Sequence, residues 1–160
     1  EEVMNEGPLA REPGIKMKVR LLDMKLHEDA IHRGPAQILP AVREAIKLAM
    51  LNGNAVLFEP LQVLQIEAPN SFLGELSKLV QNKRGQLLSV EQEGEHLTLK
   101  AKLPVAEMIG MNTDLKSATE GRGHFYIMDQ VFEKVPTDIQ QKIKLAIRKR
   151  KGLSLENDFA

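Results

Sequence analysis

The sequence predicts an α+β protein built from two small α/β sandwich domains. In the second half of the chain, strand-like and helix-like segments follow the order β-α-β-β-α-β, which is typical of a ferredoxin-like split βαβ sandwich. The residues before Pro60 show a shorter series of strand, loop, helix and strand. We therefore expect a partial βαβ domain followed by a ferredoxin-like domain.

The length and composition fit two small domains, and they limit which kinds of partner and chemistry we expect. A chain of 160 residues allows one medium domain or two small ones. Lys+Arg and Asp+Glu number 22 each, so net charge does not indicate a nucleic-acid partner, although local clusters can still bind one. The absence of Cys excludes disulfides and thiolate chemistry. Because no membrane span or secretory signal is visible, we expect a cytoplasmic protein without membrane contacts.

The first half begins with "EEVMNEGP", which has the features of a helix end, with Gly7 suited to the left-handed position. A chain rarely begins with the end of an element, so we expect a piece of a longer protein; a disordered tail is the alternative. "GIKMKVRLLDMKLH" alternates apolar and polar residues and predicts a half-buried strand with a bulge near Leu21–Leu22. A helix ending at Asn52-Gly53 and a short strand, "AVLFEP", stopped by Pro60, complete this half.

The second half contains the ferredoxin-like pattern. "LQVLQIEAP", "QLLSVEQ", "HLTLKAKL" and "HFYIMD" predict strands. Asn70 is placed to cap the first helix, and Gly121 to end the second. A final helix begins at Thr137, which has capping-box spacing with Gln140. Its apolar stripe needs a surface to cover, and the stripe consists of Ile139, Ile143 and Ile147.

The stretch "LHEDAIHRGPAQ" carries two histidines in a segment that Gly34-Pro35 marks as a loop. It resembles the zinc-protease pattern H-E-x-x-H but is one residue too long, which on a helix would turn His27 and His32 about 140° apart. We therefore predict no metal site. Two readings remain open: solvated loop histidines, or a loop tip that presents His32 to a partner or a modifying enzyme.

The sequence gives little support for nucleotide binding or catalysis. The chain has no phosphate-binding loop, and "GRGH" lacks the third glycine of a dinucleotide fingerprint, so we predict no GTP binding and no catalytic residues. His96 and His124 are interpreted as structural. Local basic clusters allow contact with RNA phosphates, while aromatic residues, at 4%, disfavour base stacking. The clusters are Lys16, Lys18 and Arg20; Lys83 and Arg84; and Arg148 to Lys151.

Several long motifs resemble elongation factor 2, the ribosomal translocase of archaea and eukaryotes. They are "GPLAREPGIKMKVRLLDMKLHEDAIHRGPAQILPAVREAI", "LFEPLQVLQIEAP", "NKRGQLLSVEQEG", "LPVAEMIGMNTDLKSATEGRG" and "RKRKGL", in this order and over nearly the whole chain. "GPAQ" is similar to the archaeal form. The resemblance implies that residues 1–60 are the second half of the family's domain IV, which is ribosomal-protein-like, and that residues 61–136 are its domain V. Helix 137–151 would pack back on domain IV, and 152–160 would form a tail.

The resemblance also implies roles for particular residues. His32 matches the histidine that diphthamide-synthesis enzymes modify and that diphtheria-type toxins ADP-ribosylate. The surrounding loop would enter the decoding region and contact the ribosome and tRNA. GTP and Mg would bind in an N-terminal domain that this chain lacks, so we expect no GTPase activity here. The implied tip contacts are His27, Asp29, Arg33 and Gly34, and the ribosomal RNA contacts that we consider are Lys83, Arg84, Arg148, Lys149 and Arg150.

Two other interpretations remain. A stand-alone ribosome- or RNA-binding protein would have the same two-domain body, and an upstream GTPase reading frame would distinguish it from a translocase. A metal-dependent hydrolase would use His27 and His32, and metal analysis would test it. An incomplete first domain also leaves strand edges uncovered, so we expect that domain either to self-associate or to exchange its amide hydrogens faster than residues 60–136.

Overall fold

The computed structural model describes residues 2–155 and confirms the α+β class. The described residues form two compact units. The helical unit contains the residues up to Leu57 and those from Val135 onward, and the sheet unit is Phe58–Lys134. In chain order, the elements are α1 (Glu2–Asn5), α2 (Pro35–Asn52), β1 (Phe58–Pro69), α3 (Leu73–Asn82), β2 (Gln86–Glu93), β3 (His96–Pro104), α4 (Met111–Ala118), β4 (His124–Lys134) and α5 (Thr137–Arg150).

The sheet unit has the predicted ferredoxin-like fold. Its four strands are antiparallel in the order β2-β3-β1-β4, with α3 between β1 and β2 and α4 between β3 and β4. The alternation in "HLTLKAKL" places Leu97, Leu99, Ala101 and Leu103 in the core, each at most 1% exposed. Apolar residues of α3 and α4 cover the same face of the sheet. The core is completed by Leu64, Ile66, Ala68, Leu76, Val80, Met111 and Leu115.

The strand predicted in "AVLFEP" does not stop at Pro60 in the structure. β1 begins at Phe58 and continues through Pro60 to Pro69. The pairing of β1 with β3 starts at Leu61, so Pro60 is paired with β4 alone. A proline, which lacks an N–H, is tolerated in a strand where one side has no partner. Pro60 therefore lies inside the first strand of the sheet unit.

The strand predicted in "GIKMKVRLLDMKLH" is not formed. Residues 17–27 have no regular secondary structure, and the apolar side chains expected to be half-buried are exposed, from 42% at Met17 to 86% at Leu22. Within residues 2–155, every strand belongs to the sheet unit, so this segment has no neighbouring strand to pair with. Alternation selects residues that fit a strand, but a strand forms only when its backbone groups find a partner.

Three predicted turn and cap roles are also corrected. Gly7 does not have a positive φ; a Cβ there would lie 2.7 Å from the Glu12 carbonyl oxygen, so close backbone approach requires the glycine. The Asn70 side chain donates to the Gly94 carbonyl instead of capping α3. Thr137 is the first residue of α5, and Gln140 accepts a 2.8 Å hydrogen bond from the Leu57 amide.

Contacts of α5 hold the helical unit together. The Val135 amide donates to the Leu57 carbonyl at 2.9 Å, next to the Gln140 bond. At the other end of α5, Lys151 donates to the carbonyls of Ala10 and Arg11 and pairs with Glu12 at 2.8 Å. The Ile139, Ile143 and Ile147 side chains are half-buried. These bonds join α5 to the two ends of the segment that contains α1 and α2.

Candidate functional site

The histidine-containing segment forms a short, ordered loop directly before α2. A single 3-10 turn, Ala30–His32, is capped by Asp29, whose Oδ1 accepts from the Ile31 amide at 3.0 Å. Asp29 suits this position because its short carboxylate can reach an otherwise unpaired backbone donor. Gly34 then caps α2, and Pro35 begins that helix. The loop therefore ends on an 18-residue helix.

Arg33 braces this loop through hydrogen bonds to two of its backbone carbonyls. Its Nε donates to the His27 carbonyl at 2.6 Å, and its terminal nitrogen donates to the Glu28 carbonyl at 2.5 Å. Both acceptors are neutral carbonyls, so these two bonds do not offset the positive charge of the guanidinium. Its planar arrangement of donors holds two consecutive carbonyls in place. The resemblance implied Arg33 only as a tip residue. Gly34-Pro35 predicts a turn here, but it does not show which backbone carbonyls the Arg33 side chain reaches.

The two histidines lie against each other. Their ring centroids are 4.6 Å apart, and the rings meet edge to face at 70°. His27 Nδ1 accepts a hydrogen bond from the Asp29 amide at 3.0 Å, which places the proton of the neutral ring on Nε2. Both residues are exposed, and so is Ile31, at 74%. The loop thus presents His32 to solvent on one side of an ordered ring pair.

The loop geometry differs from that of a metal centre. His27 and His32 are close because the segment is a loop, whereas a helix would have separated them. Within residues 2–155, no three His, Cys, Asp or Glu side chains are grouped to hold an ion. Two imidazoles alone fall short of the three protein ligands of a catalytic zinc site.

Lys83 and Arg84 are bound to carboxylates of the sheet unit. Lys83 Nζ lies 2.7 Å from Asp114 Oδ2, and Arg84 pairs with Glu59 at 2.8 Å and Glu107 at 2.9 Å. Burial acts to lower the pKa of Arg84, but its hydrogen bonds to Glu59 and Glu107 and their charges outweigh that effect, so the pKa is raised. These two cations have intramolecular partners and are poorly placed to neutralise RNA phosphates.

Arg148 is also unsuited to the RNA contact that the sequence suggested. It is 0% exposed, and its guanidinium donates to the carbonyls of Leu9 and Ser154. The role of Arg148 is therefore structural, because a fully buried guanidinium does not reach a partner molecule. Lys149 and Arg150, which follow it in the last turn of α5, are exposed.

Fold and site together define a class: a ferredoxin-like module joined to a helical unit that carries an exposed, braced histidine loop. The family model described as "Elongation factor G C-terminus" matches residues 56–143, and the one described as "Elongation factor G, domain IV" matches residues 1–54. The chain therefore belongs to the elongation factor G C-terminus family. Within the described part of the chain, every helix is too short or too polar to cross a membrane.

Individual relatives agree with this assignment and confirm the resemblance seen in the motifs. The chain is 50% identical to elongation factor 2 of Nanoarchaeum equitans over 99% of its own length, and 49% identical to that of Methanocaldococcus jannaschii over 98%. It is 49% identical to elongation factor 2 of Pyrococcus horikoshii over 95%. The chain spans 21% to 22% of the length of these relatives.

Proposed function

We propose that this chain is the contact module of an archaeal-type elongation factor 2, a GTP-dependent factor that moves tRNA and mRNA through the ribosome. The observation that carries the proposal is the exposed His27–Arg33 loop, braced by Arg33 and joined to α2, in a chain of this family. In this role the loop enters the decoding region. A rigid loop that contacts two ribosome states unequally shifts their populations.

The modules of the proposed factor follow the sequence. Residues 1–60, with helix 137–151, serve as the second half of domain IV, and 61–136 serve as domain V. The close association of α5 with Leu9–Glu12 and Leu57 supports this division. GTP and Mg bind to a domain outside this chain, and the factor acts in the cytoplasm. The partners are ribosomal RNA, ribosomal proteins and tRNA.

His32 is the proposed diphthamide site. Its exposure and its position after a capped turn leave the imidazole accessible to the diphthamide-synthesis enzymes. His27, Asp29, Arg33 and Gly34 shape the tip through the contacts described above. Among the basic residues first considered for ribosomal RNA, the exposed pair Lys149 and Arg150 remains suitable.

Ribosome binding tests the proposed function directly. The 160-residue chain is sedimented with purified archaeal ribosomes, with and without an excess of an intact archaeal elongation factor 2. We expect saturable binding that the intact factor displaces. A chain that stays in the supernatant at every ribosome concentration would refute the proposed function, as would binding that the intact factor leaves unchanged.

The modification is tested in a host that makes diphthamide. The chain and its His32→Ala and His27→Ala variants are purified from that host, and intact mass and toxin-catalysed incorporation of ADP-ribose are measured. We expect modification and labelling of the chain, and loss of both only in His32→Ala. Material from a bacterial host, which carries an unmodified histidine, is the negative control. Labelling that survives in His32→Ala would show that the acceptor is a different residue.

A further inference from the structure

Positive charge is divided unevenly between the two units. The sheet unit, Phe58–Lys134, carries 8 Lys and Arg against 11 Asp and Glu, whereas the rest of the chain carries 14 against 11. Binding to a phosphate backbone depends on local positive charge. An RNA partner is therefore attracted to the residues outside the sheet unit.

Many of the cations in the helical unit already have protein partners. Arg11 lies 3.9 Å from Glu6, and Lys151 lies 2.8 Å from Glu12. Arg148 is buried, and Arg43, Lys47 and Lys144 also interact with other groups of the protein. Where the partner is a carboxylate, as for Arg11 and Lys151, the cation attracts an external phosphate less strongly, because the carboxylate cancels much of its field.

Four cations between α1 and the His27–Arg33 loop differ from these. Lys16, Lys18, Arg20 and Lys25, which we call the basic track, are exposed, and none has a carboxylate within 4.0 Å in the part of the chain that the structure describes. Two acidic side chains of the same stretch, Asp23 and Asp29, accept hydrogen bonds from backbone amides. Asp23 accepts from the Met24 amide at 2.7 Å, and Asp29 accepts from the Ile31 amide.

We propose that the basic track binds the sugar-phosphate backbone of RNA. The proposal rests on the proposed function and deepens it, because it gives the RNA contact of the helical unit a specific surface. Lys16, Lys18 and Arg20 fall within about 14 Å of chain even when it is fully extended. An RNA strand carries a charge on every nucleotide, so several phosphates face these cations together.

The track is continuous in sequence with the candidate loop. Lys25 precedes His27 by two positions, and the Arg33 guanidinium, held by two neutral carbonyls, adds positive charge beyond it. Flexible Lys and Arg side chains bind phosphates without reading sequence. The track therefore adds affinity along the RNA that the loop approaches, and the loop supplies the contact specific to the decoding region.

The test compares two variants of the whole chain with equal loss of charge. The track variant is Lys16→Gln/Lys18→Gln/Arg20→Gln, and the control is Lys78→Gln/Lys100→Gln/Lys134→Gln in the sheet unit. Binding to archaeal ribosomes and to protein-free archaeal ribosomal RNA is measured over a range of salt concentrations. A third variant, Lys16→Arg/Lys18→Arg, keeps the charge and should bind as the chain without substitutions does.

We expect the track variant to bind both probes about tenfold more weakly at moderate salt and to reduce the slope of log K against log[salt] by about 2, as the loss of three phosphate contacts predicts. The control should change the slope little. Equal losses in the two triple variants would overturn the track while ribosome binding upheld the proposed function. A loss confined to ribosomes, with RNA binding unchanged, would assign the track to an acidic ribosomal protein and overturn the RNA contact. If the unmodified chain bound neither probe, both proposals would fail.

Discussion

Arg148 donates a hydrogen bond of 2.9 Å to the carbonyl of Leu9, 139 residues earlier in the chain, and its side chain is fully buried. Its Nε also donates to the Ser154 carbonyl at 2.5 Å. A guanidinium can be buried when its donors meet acceptors. This contact makes α5 part of the helical unit although the whole sheet unit lies between them in sequence.

Removing these donors should destabilise the helical unit. Arg148→Met keeps much of the side-chain volume but leaves the Leu9 and Ser154 carbonyls without their guanidinium donors, at an expected cost of about 2–3 kcal/mol in the free energy of unfolding. Arg150→Met, in the same turn but exposed, should change it by no more than about 0.5 kcal/mol. Urea unfolding measures both. Equal effects of the two substitutions would show that the buried contact contributes little.

Loss of the Arg33 brace should loosen the loop without unfolding the chain. Arg33→Ala removes both donors to the His27 and Glu28 carbonyls, so the Ile31, His32 and Arg33 amides should exchange with solvent faster. Global stability should change by no more than about 0.5 kcal/mol, because the loop is exposed. Residue-resolved hydrogen exchange by NMR measures the effect, with Lys25→Ala as the control. Unchanged exchange of these amides would mean that the Asp29 cap holds the turn alone.

His32→Ala should leave stability nearly unchanged, within about 0.5 kcal/mol, because the side chain is exposed and its ring packs edge to face on the His27 ring, which is itself exposed. Thermal or urea unfolding of the bacterially produced variant measures this. A cost of several kcal/mol would show that His32 is a structural residue, and its assignment as an accessible modification site would then fail.

A buried hydroxyl in the sheet unit should be needed for its stability. Thr119 is 0% exposed, and its Oγ1 donates to the Leu115 carbonyl and accepts from the Gly123 amide, both at 2.7 Å. Thr119→Val keeps the shape but leaves the Gly123 N–H unpaired, so we expect a loss of about 1–3 kcal/mol. Thr119→Ser keeps the hydroxyl and should cost less. If urea unfolding gave the two variants equal stability, the hydroxyl would not be the stabilising group.

The two units should differ in hydrogen exchange. Amides of residues 17–26 lie in a segment without regular structure, whereas those of β1 and β3 pair within the sheet. We expect near-complete exchange of the segment within seconds and slow exchange of the two strands, by mass spectrometry. Size-exclusion chromatography with light scattering then tests self-association through the same exposed segment. A monomer with uniform protection across both units would contradict the two expectations together.

The sequence by itself predicted the ferredoxin-like half of the chain. In β3, the alternation of Leu97, Leu99, Ala101 and Leu103 indicates both the strand and its buried face, because side chains of a strand point alternately to its two sides. Turn and helix signals between the strands then fix the order β-α-β-β-α-β. The histidine loop was also predicted, because Gly34-Pro35 marks a chain turn locally.

Only the tertiary structure decided which charged side chains are paired with other groups of the protein. Lys83 forms an ion pair with Asp114, and Arg84 forms ion pairs with Glu59 and Glu107. Arg148 donates a hydrogen bond to the Leu9 carbonyl. These partners come together only after the chain has folded. The strand predicted before His27 does not form for a related reason, since it too depends on contacts with distant residues. Its alternation is local, but a strand needs a neighbour, and pairing depends on residues that are distant in sequence. Local patterns determine what a segment can form, and contacts across the fold determine what it does form.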